Sequence, residues 1–251
     1  TFDSTNNKII IAYQNRSDAS KGYAVVGTIS GTSISFGTPV LFETGDIEHT
    51  GMSYDSNSER VVIGYRDNGN ASRGTAVVGS VSGTAISFGT PVVFTTNSTD
   101  GSIPIAVTFD SSNNKIVIAW SDRTASNHPK AIVGTVNPAN NSISFGTETV
   151  IASVSSNSLS AAFDSTNNKI VVAYEDGSNT QRGTAAVGAV SGTSISFGTP
   201  VVFVDQGITT GDGTRCVFVA QGRVFITFAG GAGPFYSGGV VGTVIPASNS
   251  I

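Results

Sequence analysis

Short apolar runs separated by polar turns recur along the whole chain, and their pattern is that of β-strands. Residues 9–13, 61–65 and 170–174 are apolar without alternation. A short, β-branched and continuously apolar run indicates a strand that is covered on both faces. Helical periodicity is found nowhere along the chain, so the pattern predicts an all-β protein.

The chain is also an internal repeat. Residues 30–40, SGTSISFGTPV, return with one change at 82–92, unchanged at 191–201, and more loosely at 141–150. The phenylalanines of these copies are spaced by 52, 57 and 52 residues. Each repeat is interpreted as four strands, with a tight turn after the first and a polar loop after the second. A fifth, diverged copy at 217–244 stops before its fourth strand.

Turn residues and prolines locate the strand ends. Each tight turn begins with an aspartate whose short side chain is suited to bonding its own backbone. These aspartates are Asp3, Asp55, Asp110 and Asp164. The fourth strand carries Pro39, Pro91 and Pro200 in three copies. Because proline has no backbone N–H to donate, this strand is expected at a sheet edge.

Four antiparallel strands repeated about every fifty residues are the signature of β-propeller blades. The sequence therefore predicts a single five-bladed β-propeller, and the closing blade is incomplete because it lacks its outer strand. The blades are expected at about 1–46, 47–99, 100–152, 153–205 and 206–251. A neighbouring segment or another copy is expected to cover the free edge at 239–244.

The composition narrows the range of partners. Charged residues make up 12% of the chain, against about 25% in an average soluble domain. The net charge is −4, and no cluster of Lys and Arg occurs. This argues against binding to nucleic acid or to an anionic membrane surface. No apolar stretch is long enough to predict membrane insertion. The neutral surface of Ser, Thr, Asn and Gly favours an extracellular, virion-surface or cell-surface location.

Two repeated units carry a resemblance. Residues 2–13, FDSTNNKIIIAY, and 31–40, GTSISFGTPV, resemble repeats of uncharacterised surface or tail-fibre-like proteins of marine bacteria and their phages. The resemblance covers nearly the whole chain and implies an externally displayed, propeller-like module. The five-bladed outline is similar to the tachylectin class of lectins in architecture alone, because that class's sugar-site motif is absent.

Familiar catalytic signatures are missing from the sequence. It contains no Gly-x-Ser-x-Gly, no phosphate-binding glycine loop and no His-Glu-x-x-His. Cys216, in an apolar run, is interpreted as a small buried hydrophobe, and His49 and His128 as solvated loop residues. The turn aspartates offer oxygen ligands for calcium, but no bidentate carboxylate follows at a fixed spacing. We therefore predict neither a metal site nor a cofactor.

The loop after the second strand is the strongest candidate for a binding site. In three repeats an aromatic residue is followed by charged groups, an arrangement that suits stacking on a sugar ring and pairing with its hydroxyls. The candidate residues are Tyr65, Arg66, Asp67, Trp120, Asp122, Arg123, Tyr174, Glu175, Asp176 and Arg182. The alternative is that the aromatics cap the core between blades and that Arg pairs with Asp across the loop.

Three functions remain open on this reading. The first is a non-enzymatic module for glycan or cell-surface recognition, in which equivalent loops on one face gain avidity. The second is a structural spacer or assembly unit of a larger surface or tail-fibre protein. The third is a glycosidase-like enzyme, whose paired carboxylates would come from different blades. Copied blades supply like residues rather than unlike ones, which argues against the enzyme.

Overall fold

The computed structural model describes residues 1–101, 104–208, 213–230 and 237–251. Within these ranges the regular structure is β, apart from two 3₁₀ turns at Asn68–Asn70 and Arg123–Ala125. The prediction of an all-β chain is confirmed. No helix in the described ranges has the length and apolarity needed to cross a membrane.

The described strands form five antiparallel sheets that follow one another along the chain. The first sheet contains β1 (Phe2–Asp3), β2 (Lys8–Asn15), β3 (Lys21–Ser30), β4 (Ser33–Phe36) and β5 (Val40–Glu43). The second contains β6 (Ile47–Asp55), β7 (Arg60–Asp67), β8 (Arg73–Ser82), β9 (Ala85–Phe88) and β10 (Val92–Ser98). The third contains β11 (Ala106–Asp110), β12 (Lys115–Asp122), β13 (His128–Asn137), β14 (Ser142–Phe145) and β15 (Thr149–Val150). The fourth contains β16 (Leu159–Asp164), β17 (Lys169–Asp176), β18 (Arg182–Ser191), β19 (Ser194–Phe197) and β20 (Val201–Gly207). The fifth contains β21 (Thr214–Ala220), β22 (Arg223–Ala229) and β23 (Ser237–Thr243).

In the first four sheets the third strand pairs with the second strand on one side and with two short strands on the other. The two short strands are the predicted fourth strand, split in two. They lie at the sheet edge, as the prolines indicated. In the described part of the fifth sheet, β23 pairs with β22 alone.

The split in the outer strand comes from contact with the next sheet. At Gly89 an added Cβ would lie 2.0 Å from the carbonyl oxygen of Asn141, in the turn of the following sheet. Gly37, Gly146 and Gly198 make the same close approach at 2.1, 1.9 and 2.2 Å. In the third sheet Glu148 stands where the others have proline, and the strand is still interrupted. The glycine contact is therefore the feature that all four breaks share.

The tight turns between first and second strands are built as predicted. Asp3 Oδ1 accepts hydrogen bonds from the backbone N–H groups of Thr5 and Asn6, at 3.0 and 2.9 Å. Asp55, Asp110 and Asp164 accept the equivalent pair of bonds. All four aspartates are buried. Turn chemistry thus accounts for their recurrence.

Four apolar clusters hold consecutive sheets face to face. Along β7, Val61 and Ile63 pack on the first sheet, whereas Val62 packs on the third. Because successive side chains point to opposite faces, a strand between two sheets must be apolar at every position. Cys216 is buried in the fourth cluster, as predicted. Burial raises the pKa of its thiol to about 12.

The clusters formed by the described residues join the first sheet to the second and so on to the fifth, and none joins the fifth back to the first. The architecture is therefore a propeller-like succession of five sheets. A closed ring of five blades is not confirmed, since the first and fifth sheets each have one uncovered face. We call the face that packs on the preceding sheet the leading face, and its opposite the trailing face.

Candidate functional site

One end of the sheets collects most of the chain's irregular loops. The second strand of each sheet ends there, and the first strand of each sheet begins there, because the two are antiparallel. The loops after second strands therefore lie at the same end as the connections that arrive from the preceding sheet. We call this the loop end.

The three candidate aromatic residues are core residues. Tyr65, Trp120 and Tyr174 have relative exposures of 0%, 1% and 1%. Tyr65 packs on Phe42 with ring centroids 5.3 Å apart, and Trp120 packs on Phe94 at 5.0 Å. Burial raises the pKa of both tyrosines, and a hydrogen bond from Tyr65 to Glu43 adds to this for Tyr65. Rings buried between sheets have no face left for a sugar, so the stacking role predicted for them does not fit this structure.

Arg66 and Asp67 lie under the loop rather than on it, and both are more than nine-tenths buried. The Arg66 guanidinium pairs with the Glu48 carboxylate, and its Nη2 donates to Ser72 Oγ at 2.8 Å. Burial raises the pKa of Asp67, and the neighbouring charge of Glu43 adds to the rise. Arg66 therefore pairs with Glu48 of β6 and not with Asp67, so the predicted pairing of Arg with Asp across the loop does not describe this residue.

Asp122 is the centre of a buried polar network. Its Oδ2 accepts from Lys130 Nζ at 2.6 Å and from Asn97 Nδ2 at 2.7 Å, and its Oδ1 accepts from Thr124. Burial opposes ionisation of this carboxyl, but these hydrogen bonds outweigh it and lower its pKa. Lys130 also reaches Glu148 Oε2, at 3.0 Å. A carboxylate with this many internal partners fixes the loop of the third sheet.

The remaining candidates divide by exposure. Glu175 is fully buried and accepts from Asn157 Nδ2 at 3.1 Å. Arg123 is exposed, Asp176 is half-buried, and Arg182 pairs with the exposed Asp205 at 2.9 Å. Only these last three have surface that a ligand could touch, and they belong to two different sheets.

A polar cleft at the loop end lies instead between the first and second sheets. It has a volume of about 550 Å³. Its lining consists of Gln14, Arg16, Ser20, Asp46, Glu48, His49 and Gly101. Gln14 is the first-sheet equivalent of Arg66, Ser121 and Glu175, which follow the aromatic residue in the other sheets. Arg16 is likewise the first-sheet equivalent of Arg123, so two of the loop-end positions predicted from the sequence have counterparts in the cleft.

Hydrogen bonds hold the cleft residues in place. Gln14 Nε2 donates to the Ile47 carbonyl and, at 3.4 Å, to Asp46 Oδ1. Arg16 Nε donates to Gln14 Oε1 at 3.3 Å. A ring nitrogen of His49 lies 2.8 Å from the Gly101 carbonyl oxygen. The cleft is therefore an ordered set of acceptors and donors.

Sequence reasoning did not select Asp46, Glu48 or His49. They come from the connection between β5 and β6 and from the start of β6, not from a loop after a second strand. His49 has a left-handed backbone, with φ of 51°, where the β6–β7 register shifts between Glu48 and Gly51. It is half-buried against Gly101 rather than a freely solvated loop residue. The cluster of charged residues between 43 and 49 is the feature of the sequence that could have indicated this part of the cleft.

A second cavity, of about 330 Å³, lies among the first strands of the second to fifth sheets. Its wall is formed by residues 50–52, 104–107 and 159–161, with Arg215 at one side. Thr50 in this wall follows His49 of the cleft directly. The described residues contain no group of three or more His, Cys, Asp or Glu side chains arranged to hold a metal ion.

Comparisons with known proteins bear on the fold alone. No family model matches the sequence, and no curated protein matches it. A protein of unknown function from Dyadobacter fermentans is similar in structure, with a TM-score of 0.61, 14% identity and coverage of 88% of this chain. This chain spans 63% of that protein's length. The likeness shows a shared fold.

Two further structures are more weakly similar. The Aleuria aurantia lectin, a six-bladed β-propeller that recognises fucose, has a TM-score of 0.49 and 13% identity, over 96% of this chain and 78% of its own. An α-L-arabinofuranosidase from Clostridium thermocellum has a TM-score of 0.45 and 11% identity, over 90% and 83%. At these scores the likeness carries no argument about this chain.

Proposed function

We propose that this chain is a non-enzymatic carbohydrate-binding module, displayed outside the cell on a propeller of five blades, and that its ligand occupies the loop-end cleft. The observation that supports this is the ordered polar lining of the cleft. Its volume of about 550 Å³ falls in the range of about 300–1,000 Å³ that small-molecule sites occupy. The low charge of the surface suits display outside the cell.

The lining matches neutral hydroxyl groups better than other ligand chemistry. Asp46 and Glu48 supply acceptors, and Gln14 and Arg16 supply donors, within one cleft. Adjacent hydroxyls of a sugar both donate and accept, so they pair with such a mixed set. The described residues that line the cleft include no Phe, Tyr or Trp, so recognition rests on hydrogen bonds and each site is weak alone. Asp176 and Arg182, at the loop end of the fourth sheet, would add contacts to a long polymer.

The test is binding to an array of neutral glycans, followed by titration of the best ligand. Arg16→Ala and Asp46→Ala remove exposed cleft groups without touching a core residue. We expect each to weaken binding about tenfold or more, because a hydrogen bond to a charged group contributes about 1.5–3 kcal/mol.

Arg123→Ala is the matched control, since Arg123 is exposed at the position that corresponds to Arg16 in the third sheet. Unchanged binding by this variant assigns the ligand to the cleft. Equal losses in Arg16→Ala and Arg123→Ala would assign it to repeated loops instead. A parent chain that binds no glycan would contradict the proposal and favour a spacer or assembly unit, for which the uncovered sheet faces are the supporting observation.

A further inference from the structure

The first sheet exposes a face that is buried in every other sheet. Ile11 has a relative exposure of 40%, whereas Ile63 and Ile118, at the same position of the second and third sheets, have 0%. The pairing of Ile11 with Val25, Ile63 with Val77 and Ile118 with Ile132 establishes this correspondence. The residue type is unchanged although its burial differs completely.

A second position on the same leading face repeats the observation. Ile34 is 45% exposed. Its counterparts Ile86, Ile143 and Ile195 are 4%, 5% and 4% exposed. Phe36 and Ile29, further along this face, are 51% and 55% exposed. The first sheet therefore exposes Ile11, Ile29, Ile34 and Phe36 of its leading face, while Val25 beside Ile11 is 8% exposed, and none of the apolar clusters of the described residues joins another sheet to this face.

The fifth sheet exposes the opposite face. Val241 is 57% exposed, whereas its counterparts Val78, Val133 and Val187 are 1%, 0% and 0% exposed. Val217 and Val219 on β21 are 53% and 58% exposed. A contiguous apolar surface of this kind on a soluble protein marks an interaction site. Here it is the trailing face of an interior sheet.

These two surfaces are the two halves of one interface that the chain already forms four times. Where the first and second sheets meet, Val26 and Ile63 belong to a single buried cluster. Val26 is the first-sheet counterpart of Val241, and Ile63 is the second-sheet counterpart of Ile11. A sheet that carries Ile11 would therefore pack on a sheet that carries Val241 through the contacts of the interior interfaces.

We propose that the occupant of each uncovered face is a second copy of this chain, joined head to tail, with the first sheet of one copy on the fifth sheet of the next. The sheets that have the matching faces are those of this chain itself, so one copy provides both surfaces. Such a contact is heterologous, and it leaves a free face at each end for another copy. Two copies would place ten sheets in succession, beyond the usual four to eight blades, so open-ended association is expected.

The test uses one charged substitution on each face. Ile11→Asp disables the leading face and Val241→Asp disables the trailing face. Both residues are exposed, so neither change disturbs the core of an isolated chain. In sedimentation velocity, the parent is expected to show a mass that rises with concentration above the 25.6 kDa of one chain. Each variant alone is expected to remain at the mass of one chain.

Mixing the two variants gives the decisive measurement. Ile11→Asp retains an intact trailing face, and Val241→Asp retains an intact leading face. The mixture is therefore expected to form a one-to-one complex that grows no further. Val93→Asp, at an exposed valine on the outer strand β10, is the matched control and is expected to associate like the parent.

Three outcomes would overturn the proposal. One is a parent that stays at the mass of one chain at all concentrations. Another is a mixture of the two variants that forms no complex. The third is a monomer that both aspartates destabilise strongly, which would mean that the first and fifth sheets close on each other. If the parent is monomeric, a further chain is made in which a copy of residues 153–205 follows Ile251. A higher melting temperature of this longer chain would mean that the trailing face is covered by a blade of the same polypeptide.

Discussion

At the scale of single residues, one structural position carries a different residue in each of four sheets. Gln14, Arg66, Ser121 and Glu175 each follow the aromatic residue of the second strand. Gln14 lines the cleft, whereas Arg66 is neutralised by Glu48. Glu175 is buried and accepts hydrogen bonds from the amides of Asn157 and Gln181. The role of the residue at this position therefore depends on its hydrogen-bonding or ionic partners, which include residues of the first strand of a sheet or of the connection before it.

Glu175 is expected to reduce stability at neutral pH. Burial raises its pKa above the ordinary value of 4.5, and hydrogen bonds from Asn157 and Gln181 only partly offset this. A carboxyl whose pKa is higher in the folded state lowers the free energy of unfolding when it is ionised. This loss of stability is complete at pH values above the folded pKa and disappears below the unfolded pKa. We expect Glu175→Gln to raise the free energy of unfolding by about 1 kcal/mol at pH 7.

Urea denaturation of parent and variant at pH 7 and pH 4 checks this expectation. The difference between them should shrink at the lower pH, because the parent carboxyl is then protonated. Asp205→Asn, at an exposed carboxylate on β20 of the same sheet, is the control. A variant that is less stable than the parent at pH 7 would mean that the ionised Glu175 has a favourable partner.

At the scale of elements, the outer strand of each of the first four sheets is interrupted where it contacts the next sheet. Strand propensity and proline account for its edge position, but the interruption coincides with a glycine against a carbonyl oxygen of the next sheet. The four glycines stand at the same position of four repeats. They recur because the backbones of consecutive sheets approach each other closely at this position. A single sheet by itself would not require glycine there.

Gly89→Ala is expected to lower the free energy of unfolding by about 1–3 kcal/mol, the usual cost of overpacking. The added Cβ would lie 2.0 Å from the Asn141 oxygen, so a backbone must move. Gly45→Ala is the matched control, because the nearest atom to its Cβ is 3.5 Å away. Thermal or urea unfolding of the two variants measures the difference. Equal stability of both would show that the two sheets separate at no cost.

At the scale of the whole molecule, the sheets differ in how much of their surface is covered. Among the described residues, the apolar clusters cover both faces of the second, third and fourth sheets, and one face of the first and of the fifth. Local opening costs less where fewer apolar contacts must be broken. The ends of the succession should therefore open before its centre.

Amide hydrogen exchange at a concentration where the chain is monomeric tests this gradient. We expect β12 and β13 of the third sheet to exchange most slowly, and β2, β3, β22 and β23 to exchange faster. The hydrogen bonds within β12–β13 and β2–β3 are of the same antiparallel type, so the comparison isolates packing. Uniform protection across all five sheets would mean that the chain opens only as a single unit.

The candidate site was harder to foresee than the fold. The sequence correctly indicated that loops at one end differ while strands are copied. It also placed Tyr65, Trp120 and Tyr174 after apolar strands, where both a stacking wall and an inter-blade core residue were consistent with the pattern. The structure selects the core, since all three are buried. His49, interpreted as solvated, lines the cleft because a bulge in β6 turns it toward Gly101.

The sequence by itself determined the features that depend on short-range physics. Continuous apolar runs predicted strands covered on both faces, aspartates predicted the tight turns, and prolines predicted the edge. Only the tertiary structure decided which polar groups meet. Glu48 reaches Arg66 across the β6–β7 pair of the second sheet, and Gln14 of the first sheet reaches Asp46 in the connection to the second. It also decided that Ile11 is exposed and Ile63 is buried, although both are isoleucines in the same local pattern. Whether such a residue is buried depends on whether another sheet lies against it, and no local pattern contains that information.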